Sequence, residues 1–235
     1  MDPAEYVAMD EAEGRMWWYR ALHARLLDAV RGARGPVLDA GCGTGGFLAL
    51  LRAEAPDCVG LEWSEAGAAR AARKSGAPIA RGSVNALPFP NANFGAVVSA
   101  DVLCHAAVTP GLALAEMTRV LRPGGRLVVN MPAYAWLHSA HDRHVHNARR
   151  VTARTLREWL GRAGLVRVRA RYWNGLLLPL MVVQRKLLNR GAAASDVAVF
   201  PPWLDATFHT IATLERRSGL PLPFGGSVLA VGIRP

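Results

Sequence analysis

The sequence predicts an α/β fold built around a single sheet. Three observations carry the prediction: seven short apolar runs of strand length, helical segments between most of them, and a glycine-rich turn directly behind the first run. With 235 residues the chain has room for one domain and a sizeable elaboration, not for two full domains. Hydrophobic residues make up 51% and charged residues 20%, which excludes a chain that is disordered in the main. No internal repeat interrupts the alternation.

Taken in order, residues 1–34 predict one helix of about 25 residues ahead of the sheet, with Met16-Trp17-Trp18-Tyr19-Arg20 along it. The first strand, Val37–Ala40, is apolar and breaks on Gly41; a helix follows over Gly45–Glu54. Cys58–Leu61 is the second strand, followed by a helix over Ser64–Ser75, and Ile79–Arg81 is the third strand. Ala96–Ser99 leads to a helix over Pro110–Leu121, which Pro123-Gly124-Gly125 separates from the fifth strand, Arg126–Asn130. Thr152 is placed to cap a helix running to Gly161. In Leu165–Tyr172 the arginines 167, 169 and 171 alternate with Val166, Val168 and Ala170, as a strand with one buried face requires. Ser227–Ile233 is the last strand. Residues 174–225 are too long for an ordinary loop and predict an inserted helical cap. The predicted organisation is thus a single domain: a lid helix (1–34), a core (35–173 and 226–235) and a cap (174–225).

The net charge of +10 is unevenly placed. Between Arg143 and Arg190 stand eleven arginines and Lys186 against the single acid Glu158, so nearly all of the excess lies there. Such a stretch reads either as a solvated face or as a surface for an anionic partner: a phosphorylated or carboxylated substrate, an anionic membrane face, or nucleic acid. Leu176 to Val183 is apolar but far shorter than the roughly 20 residues that cross a bilayer. It is expected to be a buried cap helix, with peripheral contact at an anionic interface as the alternative. Three cysteines without paired spacing support neither a disulfide framework nor a structural metal. Together with an acidic N-terminus unlike a signal peptide, they place the chain in the cytoplasm as an expectation.

The most informative stretch is Val37-Leu38-Asp39-Ala40-Gly41-Cys42-Gly43-Thr44-Gly45-Gly46-Phe47. Glycines at the carboxyl end of a strand let the backbone turn tightly and let its N–H groups approach a ligand at the place where open α/β sheets bind nucleotides. Glu62 ends the second strand, 21 residues after Gly41, where a carboxylate accepts hydrogen bonds from ribose hydroxyls. Gly41, Gly43 and Gly46 also satisfy the dinucleotide fingerprint. Asp39 beside the turn opposes a pyrophosphate and favours a positively charged nucleoside.

These residues, with Leu87-Pro88-Phe89-Pro90 and Arg119-Val120-Leu121-Arg122-Pro123-Gly124-Gly125 downstream, resemble the class I S-adenosylmethionine-dependent methyltransferases over nearly the whole chain. The aromatic N-terminal helix and the Leu222-Pro223-Phe224-Gly225 turn are similar to a bacterial small-molecule subgroup. The resemblance implies a seven-stranded Rossmann-like sheet whose last strand is antiparallel and enters between the fifth and sixth. It implies S-adenosylmethionine as cofactor, with contacts at Asp39, at Gly41, Cys42, Gly43 and Gly45 of the turn, at Glu62 on the ribose and at Trp63 on the adenine face. Val84, Asn85 and Ala100 complete that set, together with Ser83, which stands where relatives often carry Asp. Gly95 and Met16 replace a common Asp and His. His141, Asp142, Arg149 and Arg150 match a later pattern of the family, in which Asn147 and Val151 replace His and Tyr.

Methyl transfer from a sulfonium is an in-line displacement that needs alignment and exclusion of water, and no metal. A histidine suits removal of an acceptor proton, and His105 and His141 are the candidates. Four histidines at 138, 141, 144 and 146 also raise a metal reading, but no spacing there matches a zinc helix. Trp17, Trp18 and Tyr19 cannot all face one way on a helix, so at least one packs inward. The remainder form a lid, Tyr19 facing the sulfonium and Arg20 the methionine carboxylate. Trp18, Tyr134 and His144 are the candidate substrate contacts. The expected function is methyl transfer to oxygen or nitrogen of a small molecule. The alternatives are a binding module without transfer, a nucleic-acid methyltransferase, for which Asp101-Val102-Leu103-Cys104 lacks the usual base-reading tetrad, and, last, an NAD-dependent oxidoreductase.

Overall fold

A computed structural model describes residues 3–139, 142, 147–183 and 200–235. The chain opens with two helices, α1 (Pro3–Ala12) and α2 (Trp17–Val30), in place of the single long helix that the apolar pattern predicts. Gly14 and the extended backbone of Met16 (φ −68°, ψ 130°) break it. The break turns Glu13 inward, where it pairs with Lys74 at 2.8 Å.

The sheet strands are β1 (Val37–Ala40), β2 (Val59–Glu62), β3 (Ile79–Arg81), β4 (Phe94–Ala100), β5 (Leu121–Pro132), β6 (Val166–Trp173) and β7 (Ser227–Ile233). Their order is β3-β2-β1-β4-β5-β7-β6, and β7 runs antiparallel to both of its neighbours. This is the seven-stranded arrangement expected, with β1 and β4 meeting at the switch point where chain direction across the sheet reverses. Between strands lie α3 (Gly46–Glu54), α4 (Glu65–Ser75), α5 (Pro110–Val120) and α6 (Ala153–Arg162). Ser64 caps α4 by accepting from the Gly67 N–H, and Thr152 caps α6 by accepting from the Thr155 N–H at 3.1 Å. Leu38, Leu61, Val97, Leu127 and Val129 are fully buried in the central strands.

Two departures from the expected elements have local causes. β5 begins at Leu121, not Arg126, because Pro123-Gly124-Gly125 forms an irregularity inside the strand rather than a stop: Leu121 already pairs with Phe94 before the register shifts. In β6 a similar shift between Val166 and Arg169 puts Arg167 at φ +53° and leaves Val166 44% exposed, so the expected inward row begins at Val168. Gly95 has a steric reason to lack a side chain, since a Cβ there would lie 2.0 Å from the Arg34 carbonyl oxygen.

Residues 174–225 contain α7 (Leu178–Val183) and α8 (Pro202–Ser218). The apolar run of α7 is not a wholly buried helix: Leu177 and Leu178 are buried, whereas Leu176, Leu180 and Val183 face outward. α8 packs along α2. Glu215 of α8 fastens this segment to the core by accepting from Arg25 at 3.2 Å and from the backbone N–H groups of Asn174, Gly175 and Leu176 at 2.6 to 3.1 Å.

Candidate functional site

The carboxyl ends of β1, β2 and β4 open into a cavity of about 960 Å³. Its floor is the glycine turn. A Cβ on Gly41 (φ +93°) would lie 2.4 Å from Val102, so the crossing of the two chain segments at the switch point admits only glycine. Asp39, Gly41, Cys42 and Gly43 line the floor, with Glu62, Trp63, Ser83, Val84 and Asn85 on one side and Ala100 and His105 on the other. Trp18 and Tyr19 of α2 lie over it. Cys42 is buried and its thiol is pushed far up by burial and by the Asp39 and Glu62 charges, so it packs and does not react.

Three carboxylates organise the electrostatics. Asp39 is buried, its Oδ2 has no hydrogen-bond partner, and burial followed by the charges of Glu13 and Glu62 pushes its carboxyl up to about 8. An orphaned buried oxygen beside two further acids fits a cation, and fits the adenosyl sulfonium and ammonium groups of S-adenosylmethionine. Glu62 accepts from the Tyr6 hydroxyl at 2.9 Å, the Ser64 N–H at 2.9 Å and the Gly43 N–H at 3.0 Å. It therefore braces the turn in addition to offering an acceptor to a ribose.

Several residues expected at the site meet a different partner. Arg20 lies outside the cavity lining; its guanidinium is taken by Asp205 of α8, a residue 185 positions away. Gly45 stands behind the turn at the start of α3, packed on Ala71, and does not line the cavity. Tyr134 stacks between Trp136 and Tyr172, at ring separations of 5.8 and 5.2 Å, and is likewise not a lining residue. Trp17 is the aromatic that packs inward, edge-on to Phe208. His141 and His144 lie outside the described residues. His138 lies within them, its Nε2 3.0 Å from the Asn147 carbonyl oxygen. Among the described residues no three His, Cys, Asp or Glu side chains are grouped to hold a metal.

Sequence reasoning missed four titratable lining residues. Tyr6, Glu13 and His23 come from helices whose faces cannot be assigned before the break at Gly14 is known. His23 is pushed down to about 4 by burial, so it stays neutral at ordinary pH. Asp101 is the first residue past β4, carries φ +53° and lines the cavity. Asn130 donates to its Oδ1 at 3.0 Å and accepts at 2.8 Å from Trp173 Nε1, which fixes the carboxylate. Burial lifts Asp101 to about 6 against that donation. His105 sits four residues on, with its carbonyl oxygen held by Arg149. A buried Asp142 and Arg150 ion pair, 2.9 Å apart, forms the adjoining wall.

The family model described as a methyltransferase domain matches residues 38–129, the stretch from β1 into β5. The chain is 34% identical over 158 residues to a probable S-adenosylmethionine-dependent methyltransferase of Mycolicibacterium smegmatis, covering 65% of this chain and 60% of that one. It thus spans less than two thirds of that relative's length. It is 32% identical over 188 residues to a demethylmenaquinone methyltransferase of Mycobacterium sp. strain KMS, covering 71% of this chain and 76% of the relative. Among solved structures, a Thermotoga maritima S-adenosylmethionine-dependent methyltransferase, described as a possible histamine N-methyltransferase, superposes with a TM-score of 0.62 at 20% identity, covering 99% of this chain and 95% of that one. Sequence and fold agree, and the chain belongs to the class I S-adenosylmethionine-dependent methyltransferases.

Proposed function

We propose that this chain transfers a methyl group from S-adenosylmethionine to an oxygen or nitrogen of a small molecule enclosed by α2 and the 174–225 segment. The observation that carries the reading is the unpartnered Asp39 oxygen at the floor of a cavity large enough for a nucleoside and a second small molecule. The cofactor, when bound, supplies an electrophilic methyl group. Asp39 faces its positive charge, Glu62 accepts from the ribose, and Trp63 with Ser83, Val84 and Asn85 borders the adenine. On the opposite wall Asp101 and His105 stand at the mouth of β4, where either accepts a proton from an acceptor hydroxyl or ammonium group. Trp18, Phe200, Phe208, Leu177 and Met181 make the acceptor end largely apolar, which supports a small organic acceptor over a nucleic-acid base.

Cys42, Cys58 and Cys104 are free and buried, in keeping with a reducing compartment such as the cytoplasm. The test is incubation with methyl-labelled cofactor and a panel of hydroxy and amino acceptors, read by mass shift. Transfer to one acceptor supports the reading; tight cofactor binding with no label on any acceptor supports a binding module instead. Absence of cofactor binding by calorimetry overturns the site.

A further inference from the structure

The 174–225 segment carries a cluster of exposed large apolar side chains. Leu176, Leu220 and Phe224 are 57, 67 and 45% exposed. Single exposed leucines are ordinary; contiguous ones mark a contact surface. Their backbones share one corner: a Cβ on Gly175, next to Leu176, would lie 2.7 Å from both Leu222 Cδ1 and the Phe224 carbonyl oxygen, and Leu220 precedes Leu222 by two residues. On Gly226 a Cβ would lie 2.5 Å from Met181 Cε, so the turn before β7 and the start of α7 share one corner of the molecule. The cavity opens at that corner, because Leu180 both lines it and is 47% exposed.

The neighbouring edge of the sheet is basic. β6 is the terminal strand, and Arg167, Arg169 and Arg171 stand exposed along it with no acid paired to them among the described residues. Isolated arginines on an edge strand discourage edge pairing, but Arg169 and Arg171 lie toward the Trp173 end of β6, the end that leads into Leu176, and together with the apolar side chains they form a combination with a specific complement. Anionic headgroups accept the guanidinium groups while the acyl boundary accepts the leucine and phenylalanine side chains. A second copy of this chain is a poor complement, since a two-fold contact here would bring like charges together. No helix among the described residues is long and apolar enough to cross a membrane, so the contact is peripheral.

We infer that Leu176, Leu220 and Phe224, with Arg169 and Arg171, form a docking surface for an anionic lipid bilayer that sets the cavity mouth beside Leu180 at the lipid interface. Entry of an acceptor with an apolar tail through that mouth rests on the methyl-transfer reading; the docking itself does not.

The full chain is sedimented with vesicles of equal parts phosphatidylglycerol and phosphatidylcholine, and with phosphatidylcholine alone. Binding to the anionic vesicles is expected to be at least about tenfold tighter and to weaken with added salt. Leu220→Asp with Phe224→Asp lowers affinity for the anionic vesicles at least about tenfold by removing the apolar anchor. Arg169→Glu with Arg171→Glu abolishes the preference for anionic lipid. None of these four residues lines the cavity, so unchanged cofactor affinity by calorimetry shows that both variants are folded. The docking is overturned if the unaltered chain stays in solution with both vesicle types, a result that needs no variant. It is also overturned if folded variants sediment as the unaltered chain does, or if ultracentrifugation shows a dimer that the Leu220→Asp, Phe224→Asp variant dissociates. Vesicle binding by a chain that fails to bind cofactor leaves the docking standing and removes the methyl-transfer reading.

Discussion

The Tyr6 hydroxyl donates to Glu62 Oε1 at 2.9 Å, joining the first helix to the end of the second strand across 56 residues of sequence. Because Gly43 and Ser64 also donate to that carboxylate, Glu62 sits at the junction of α1, the glycine turn and the start of α4. Replacing it with alanine is expected to weaken binding of S-adenosylhomocysteine by about 1.5–3 kcal/mol and to lower the unfolding midpoint, since two backbone N–H groups lose their acceptor. Calorimetry and thermal melts measure the two effects. An unchanged affinity would remove Glu62 from the cofactor site.

Tyr6→Phe separates the two roles. The backbone donors keep their acceptor, so the cost in stability is expected to stay near 1 kcal/mol. One lone-pair direction on Glu62 is released for the ribose, and cofactor affinity is expected to equal or exceed that of the unaltered chain. Affinity that falls tenfold instead would place the Tyr6 hydroxyl on the cofactor itself.

Asp39 makes binding depend on pH. Burial lifts its carboxyl to about 8, so the native chain keeps a proton that the unfolded chain releases near its ordinary value of about 4. The stability contributed by this proton is fully present below that lower value and is lost as pH rises through about 8. A cationic ligand favours the ionised form, so binding below about 8 expels a proton and affinity climbs with pH to a plateau above it. Calorimetry in buffers of different ionisation enthalpy measures the proton release. Asp39→Asn is expected to give a flat profile, and a flat profile in the unaltered chain would contradict the assignment.

Asn130, itself fully buried, lies between the half-buried Asp101 and the buried Trp173 and serves both. Asn130→Ala leaves a carboxylate oxygen and an indole N–H without partners and is expected to cost about 2–4 kcal/mol in urea unfolding. A loss below about 1 kcal/mol would mean that water replaces the amide.

His105→Ala and Asp101→Asn are each expected to lower turnover more than cofactor affinity. For Asp101 the rise of activity with pH is centred near its pKa of about 6, and the asparagine variant loses that limb. A variant that turns over as fast as the unaltered chain takes its residue out of proton transfer.

The fold was legible where a local rule decides the outcome. β1, β3 and β7 start and end where the apolar runs do, because each run is bounded by a turn or a change of polarity. The cap at Thr152 is visible for the same reason. The floor of the site was equally legible, since a glycine turn and the acid ending the next strand are set by short-range geometry. What failed depended on distant partners. Arg20 is captured by Asp205 and Tyr134 by Tyr172, contacts that no local pattern announces. The long N-terminal helix failed because Gly14 outweighs a continuous apolar pattern, and with it went the inward faces of Tyr6, Glu13 and His23. Asp101 carried one local sign, its place immediately after a strand that ends at the switch point.

The ends of the 174–225 segment leave and re-enter the sheet side by side. Trp173 pairs with Ser227, Gly226 donates to the Asn174 carbonyl oxygen at 3.2 Å, and Gly225 packs on the Trp173 backbone. The strand pairing of the stem is therefore local, while Glu215 of α8 clasps the same corner from within the segment by accepting from Asn174, Gly175 and Leu176. An insert exchanged between those two anchor points would keep the backbone pairing but would need its own acid at the Glu215 position, because that one carboxylate ties the outer helix to both the stem and Arg25.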